Sequence, residues 1–133
     1  MKTRMVSALA AGFVGMIALA TTTGAAELKP YDKASFQAAQ QKNQPIIVDV
    51  WASWCPTCKA QEPIIKTLAS SPDFSELTIF RVDFDTQKDV VRAFGAQSQS
   101  TLIAFKGKTE TSRSVGDTSA QKIEALFRST VKN

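Results

Sequence analysis

Residues Ile46-Ile47-Val48-Asp49-Val50-Trp51 form an apolar run interrupted by a single charge, and after three intervening residues comes Cys55-Pro56-Thr57-Cys58. The run is short and rich in β-branched residues, and Pro45 opens it, so it reads as a central strand covered on both faces. The cysteine pair then opens a helix. Two cysteines three apart at a helix start can close a small disulfide ring with little backbone movement. The leading one lies where free N–H groups and the helix dipole favour negative charge. That stabilises its thiolate, and only a thiolate attacks a disulfide. Pro56 suits a first helical position, because its missing N–H would have been unpaired there.

Cysteine and histidine counts narrow the chemistry. The chain has two cysteines and no histidine. A disulfide framework for a small secreted domain needs more cysteines. Without histidine, one close pair cannot complete a four-ligand zinc site within one chain from Cys and His. Cys–His nucleophilic catalysis is removed as well. Dithiol chemistry is left, with a structural staple or half of a metal site shared between two chains as the other readings of Cys55 and Cys58. No metal or cofactor is expected.

The N-terminus has a different character. Lys2 and Arg4 precede an uncharged stretch from Met5 to Ala20, then the small residues Thr21-Thr22-Thr23-Gly24-Ala25-Ala26. This order reads as a secretory signal peptide over residues 1–26, cut after Ala26 or Ala25, with an uncleaved membrane anchor as the alternative. The 133 residues then hold one domain, 27–133. Cleavage removes Lys2 and Arg4 and no acidic residue, so the net charge of +4 becomes +2. No Lys/Arg cluster with interleaved aromatics is present, and nucleic acid binding has no support.

The remaining patterns give the order α, β, α, β, α, β, β, α, an α/β fold with a central mixed sheet of four to five strands and helices on both faces. Asp32 can cap a first helix with Phe36 and Ala39 inward. Lys59 to Ala69 continues the helix after the cysteines, with Pro63 expected to kink it. Leu77 to Phe84 is a strand, and Asp89 to Phe94 a short helix ended by Gly95. Thr101–Phe105 and Thr109–Val115 flank a hairpin loop containing Gly107. Thr118 is expected to cap a last helix burying Ile123, Leu126, Phe127 and Val131. Glu27-Leu28-Lys29 can add an edge strand. Asp83 and Asp85 are expected at the surface.

From about Asp32 onward the chain resembles the thioredoxin family. The resemblance rests on Val48-Asp49-Val50-Trp51-Ala52, the cysteine pair, Pro63, Phe94-Gly95, Thr101-Leu102-Ile103 and Gly107, in this order and spacing. It implies a thioredoxin fold and roles position by position. Cys55 is then the nucleophile that forms a mixed disulfide, and Cys58 the buried resolving thiol. Asp49 is the buried acid that takes a proton from Cys58. Trp51 and Trp54 form the aromatic pair around the site, with Trp51 expected in the core, and Lys59 is the basic residue after it. Trp54, Gln99, Ser100 and Thr101 line the substrate surface.

One position departs from the family. Thioredoxins place a cis-proline directly before the Thr-Leu-Ile strand, and here that residue is Ser100. A cis bond before a residue other than proline costs about 2.5–4 kcal/mol, so the Gln99–Ser100 bond is expected to be trans. A trans bond brings the Ser100 hydroxyl and N–H near Cys55 as donors to its thiolate, and leaves a poorer groove for a substrate strand. Pro at this position is expected to raise reductase activity. The Cys-Pro-Thr-Cys tetrapeptide also resembles the exported thiol reductases of cytochrome c maturation, which carry an insertion that this chain lacks.

The implied function is that of an exported, periplasmic or extracellular thiol–disulfide oxidoreductase with a part in redox homeostasis. It reduces disulfides in protein partners and draws electrons from a membrane-embedded thiol donor. Oxidising members of the superfamily usually insert a helical domain, for which there is no room between Cys58 and Ser100. A thioredoxin-fold module that binds a metal or a partner chain without turnover is the alternative from another class, favoured by the missing proline.

Overall fold

The computed structural model of the chain describes residues 24–132. The signal-peptide expectation therefore lies, apart from Gly24 to Ala26, outside the described residues. Five strands form one sheet: β1 (Glu27–Pro30), β2 (Pro45–Trp51), β3 (Thr78–Asp83), β4 (Thr101–Lys106) and β5 (Thr109–Val115). Their order is β1-β3-β2-β4-β5. The first three are parallel to one another, and β4 runs antiparallel to both β2 and β5. Four helices cover the sheet: α1 (Lys33–Gln41), α2 (Pro56–Ala69), α3 (Lys88–Ala93) and α4 (Ala120–Arg128). The edge strand left open by sequence is present, with Leu28 paired to Ile79.

Strand β2 is central, and its alternation separates two cores. Ile46, Val48 and Val50 face α1 and α3, where they pack with Phe36, Ala39, Phe80, Val91 and Phe105. Ile47 faces α2 and α4 with Ile65, Phe74, Ile79, Ile123 and Phe127. Such strict alternation follows from the period of two along a strand.

Local signals explain the element ends. Asp32 caps α1, accepting from Ser35 N at 2.8 Å. Helix α4 is capped by Ser119, whose hydroxyl accepts from Lys122 N, and not by Thr118 as expected. Thr118 falls one residue too early, because the Asp117 carboxylate binds Ser119 N at 3.1 Å and turns the chain there. Pro63 does not interrupt α2. The Lys59 carbonyl that loses its helical partner belongs to an exposed turn, where water can serve it. Gly107 is required in the hairpin: its φ is +56°, and a Cβ would meet Asn43 Oδ1 at 2.5 Å.

Ala26 is part of the folded domain. It is buried against the α2/α4 core and donates its N–H to Ala69 O at 2.7 Å.

Candidate functional site

The C-terminal end of β2, the start of α2 and the segment before β4 converge on one point. Cys55 is the N-cap of α2 and Pro56 its first residue. Cys55 and Cys58 form a disulfide with their Cα atoms 5.3 Å apart. Both residues are buried, at 0% and 2% exposure, so access alone does not distinguish an attacking from a resolving sulfur in this oxidised state. Hydrogen bonding does. Cys55 Sγ accepts from Cys58 N–H at 3.0 Å, as an N-cap acceptor would.

Ser100 lies against both sulfurs. Its Oγ is 3.0 Å from Cys55 Sγ and 3.3 Å from Cys58 Sγ. The bond before it is trans, and its φ is +62°. Of the two Ser100 donors expected near Cys55, only the hydroxyl is there. The N–H instead binds Val50 O at 2.8 Å, on the neighbouring strand. Proline therefore cannot replace Ser100 on this backbone without losing that bond and reversing the sign of φ. Ser100→Pro is therefore expected to disturb the segment before β4, not to raise reductase activity.

Asp49 is 1% exposed on the α2 face of β2. Its carboxylate is held by Arg81, with Nε and Nη2 both 3.0 Å from Oδ2. Arg81 was not identified from sequence. It sits directly across from Asp49 in the β2–β3 register, stacks over Trp51 at 5.0 Å, and lies 3.8 Å from Glu62. Burial pushes the Asp49 carboxyl above the ordinary carboxylate range, Glu62 adds to this, and Arg81 opposes it. Trp51, expected in the core, is only partly buried because it roofs the Arg81 guanidinium beside a groove.

The four residues expected at a substrate surface divide. Trp54 is 54% exposed and is fixed by its indole N–H donating to Asp85 Oδ2 at 2.7 Å. Gln99 is partly exposed. Ser100 and Thr101 are buried, and the Thr101 hydroxyl turns inward to Ser98 O at 2.8 Å, so its side chain offers a substrate nothing. Asp85 is exposed as expected but has this link to Trp54, while Asp83 is partly buried and accepts from the backbone N–H groups of Asp85 and Thr86. Lys59 is exposed on α2.

Gln61 was also missed. It is 1% exposed, and its amide donates to Asp117 O at 2.8 Å and Ser100 O at 3.3 Å, tying the helix of the cysteines to the segment carrying Ser100. Its place three residues after Cys58 and four before the buried Ile65 is the sequence signal for an inward position. Among the described residues, no group of three or more His, Cys, Asp or Glu is arranged to hold a metal ion.

The thioredoxin family profile matches residues 27–129. Thioredoxin of Alicyclobacillus acidocaldarius is 32% identical over 92 residues, covering 69% of this chain and 87% of that protein. The bifunctional thioredoxin reductase/thioredoxin of Mycobacterium leprae is 35% identical over 85 residues, 64% of this chain, but the match spans only 18% of that longer protein. Among solved structures, Trxlp from Edwardsiella tarda superposes with a TM-score of 0.73 at 40% identity, covering 75% of this chain and 98% of that one.

Proposed function

The chain belongs to the thioredoxin family and is a thiol–disulfide oxidoreductase, and from that premise we propose that it works outside the cytoplasm as a reductase of disulfides in protein partners. The observation that carries the reading is the Cys55–Cys58 disulfide at the start of α2, with Asp49 buried on the α2 face of β2. In the reducing direction, the Cys55 thiolate attacks a partner disulfide. A Cys55–partner bond forms and one partner sulfur leaves as a thiolate. Cys58 then loses its proton to Asp49 and attacks Cys55 Sγ, releasing the second partner thiol and leaving the enzyme as the disulfide. Two electrons pass to the partner. A buried carboxyl held above the ordinary carboxylate range suits this exchange, since a group that titrates nearer the working pH gives and takes a proton more readily.

Re-reduction needs a thiol donor, and export places that donor in the membrane. The patterning of residues 1–26 supports export, and the packing of Ala26 favours cleavage after Ala25 over cleavage after Ala26. The segment between Cys58 and Ser100 holds only α2, a short 3₁₀ turn at Pro72–Phe74, β3 and α3, which supports reduction over oxidation.

Reduction of insulin by dithiothreitol, followed as turbidity with metal content measured on the same preparation, tests this reading. The protein beginning at Ala26 should accelerate precipitation, Cys55→Ser should abolish the effect, and Cys58→Ser should trap mixed disulfides. Stoichiometric metal without acceleration would make the protein a binding module. Fractionation of expressing cells with N-terminal sequencing should find the protein outside the cytoplasm, starting at Ala26.

A further inference from the structure

Ser100 holds a backbone conformation that glycine adopts freely and other residues disfavour, with φ at +62°. Its polar backbone atoms are all engaged: N–H to Val50 O, and C=O accepting from Gly116 N at 2.8 Å and from the Gln61 amide. At 3% exposure its hydroxyl meets the two sulfurs and no other hydrogen-bonding atom among the described residues. Glycine would suit the backbone better. What serine adds is one hydroxyl within reach of both reacting atoms.

We propose that the Ser100 hydroxyl sets the proton distribution of the reduced dithiol, accepting a hydrogen bond from Cys58 S–H while donating its own hydrogen to the Cys55 thiolate. A hydroxyl has one hydrogen and two lone pairs, so it can do both at once. Cys55 then has two donors, Ser100 Oγ–H and Cys58 N–H, whereas Cys58 has only an acceptor. Charge is thereby kept on the sulfur that attacks, and the proton on the sulfur that resolves.

The contact also changes with redox state. A hydrogen bond to a thiolate is charge-assisted and stronger than one to a disulfide sulfur. The hydroxyl therefore favours the reduced form and makes the dithiol a weaker reductant than it would be without it. This inference rests on the reading of Cys55 and Cys58 as a redox couple.

Equilibration of the protein with glutathione buffers, together with thiolate absorbance at 240 nm against pH, tests it in wild type, Ser100→Gly and Ser100→Ala. Glycine tolerates the backbone, so loss of fold does not explain a change in that variant, and thermal melts check both. Both variants should hold their disulfide about tenfold more strongly against reduction, that is, become more reducing by ~30 mV for a two-electron couple. Both should also ionise Cys55 at higher pH. A glycine variant with the wild-type potential and titration overturns the assignment, as does a shift confined to alanine, which would mark backbone strain. A wild type that exchanges normally beside an unshifted glycine variant removes the Ser100 role alone. A wild type that never exchanges with glutathione removes the redox reading and this inference with it.

Discussion

The two faces of the sheet are built on the same strands and both bury an apolar core, but only one of them also buries a carboxylate among the described residues. On the α1/α3 face, Phe36 packs against Tyr31, Phe80, Phe94 and Phe105, with ring centroids 5.3 to 5.8 Å apart. No charge is buried in that cluster. On the α2/α4 face, the same β2 that buries Ile47 also buries Asp49, and α2 buries Gln61. A buried carboxylate without partners costs several kcal/mol, which Arg81 offsets only in part, since burial still dominates the Asp49 carboxyl. Both faces carry an apolar core, and the α2/α4 one also holds polar groups near the cysteines. The difference is in the residue parity of β2 and β3: Asp49 and Arg81 occupy the inward positions that Ile47 and Ile79 hold one step earlier on the same face.

Asp49→Asn attacks the chemical face most directly. It should slow disulfide exchange by up to about 10²–10⁴, the range of general acid–base catalysis, while the fold persists. The pH dependence of stability has a definite sign. The folded carboxyl is raised from 3.8, so ionising it opposes folding. Its contribution is complete below the unfolded value and is lost as pH rises through the raised folded one. Urea titrations from pH 4 upward should therefore show wild type losing stability relative to the Asn variant. Equal exchange rates across that range would reduce Asp49 to a structural residue.

Phe36→Ala probes the opposite face. Removing a buried phenyl ring should cost about 3–5 kcal/mol in urea unfolding. Insulin reduction per folded molecule should stay at the wild-type level. A matching loss of specific activity would show that the aromatic face shapes the site, and the division between faces would fail.

Trp54→Phe should have the smallest effect. It keeps an aromatic ring at the exposed rim and removes the bond to Asp85. A single hydrogen bond contributes about 0.5–1.5 kcal/mol, so insulin reduction should fall by less than about tenfold. The urea midpoint should hardly move. A larger loss would move Trp54 from rim to essential contact.

What was legible in sequence follows from how local each signal is. Strand β2, the helix after the cysteines and the Gly107 hairpin are written in consecutive residues. The partnership of Asp49 and Arg81 is not, because it depends on a strand register across 32 positions. A trace existed all the same: each is the one charge within an otherwise apolar stretch of its strand, Ile46–Trp51 and Ile79–Val82. Trp51 is expected in the core because its strand is apolar; at the C-terminal end of that strand it instead covers the Arg81 guanidinium and stays partly exposed. The Ser100 N–H was placed near Cys55 on the strength of the trans bond alone. Its positive φ, which turns the N–H to Val50, depends on neighbours that no local pattern describes.

The central claim is that the chemical face makes the two cysteines unequal although both are buried. Alkylation of the reduced protein with iodoacetamide at neutral pH, mapped by mass spectrometry over time, tests this directly. Cys55 should be modified first and Cys58 should stay protected until Cys55 is consumed. Equal rates at the two cysteines would contradict the account.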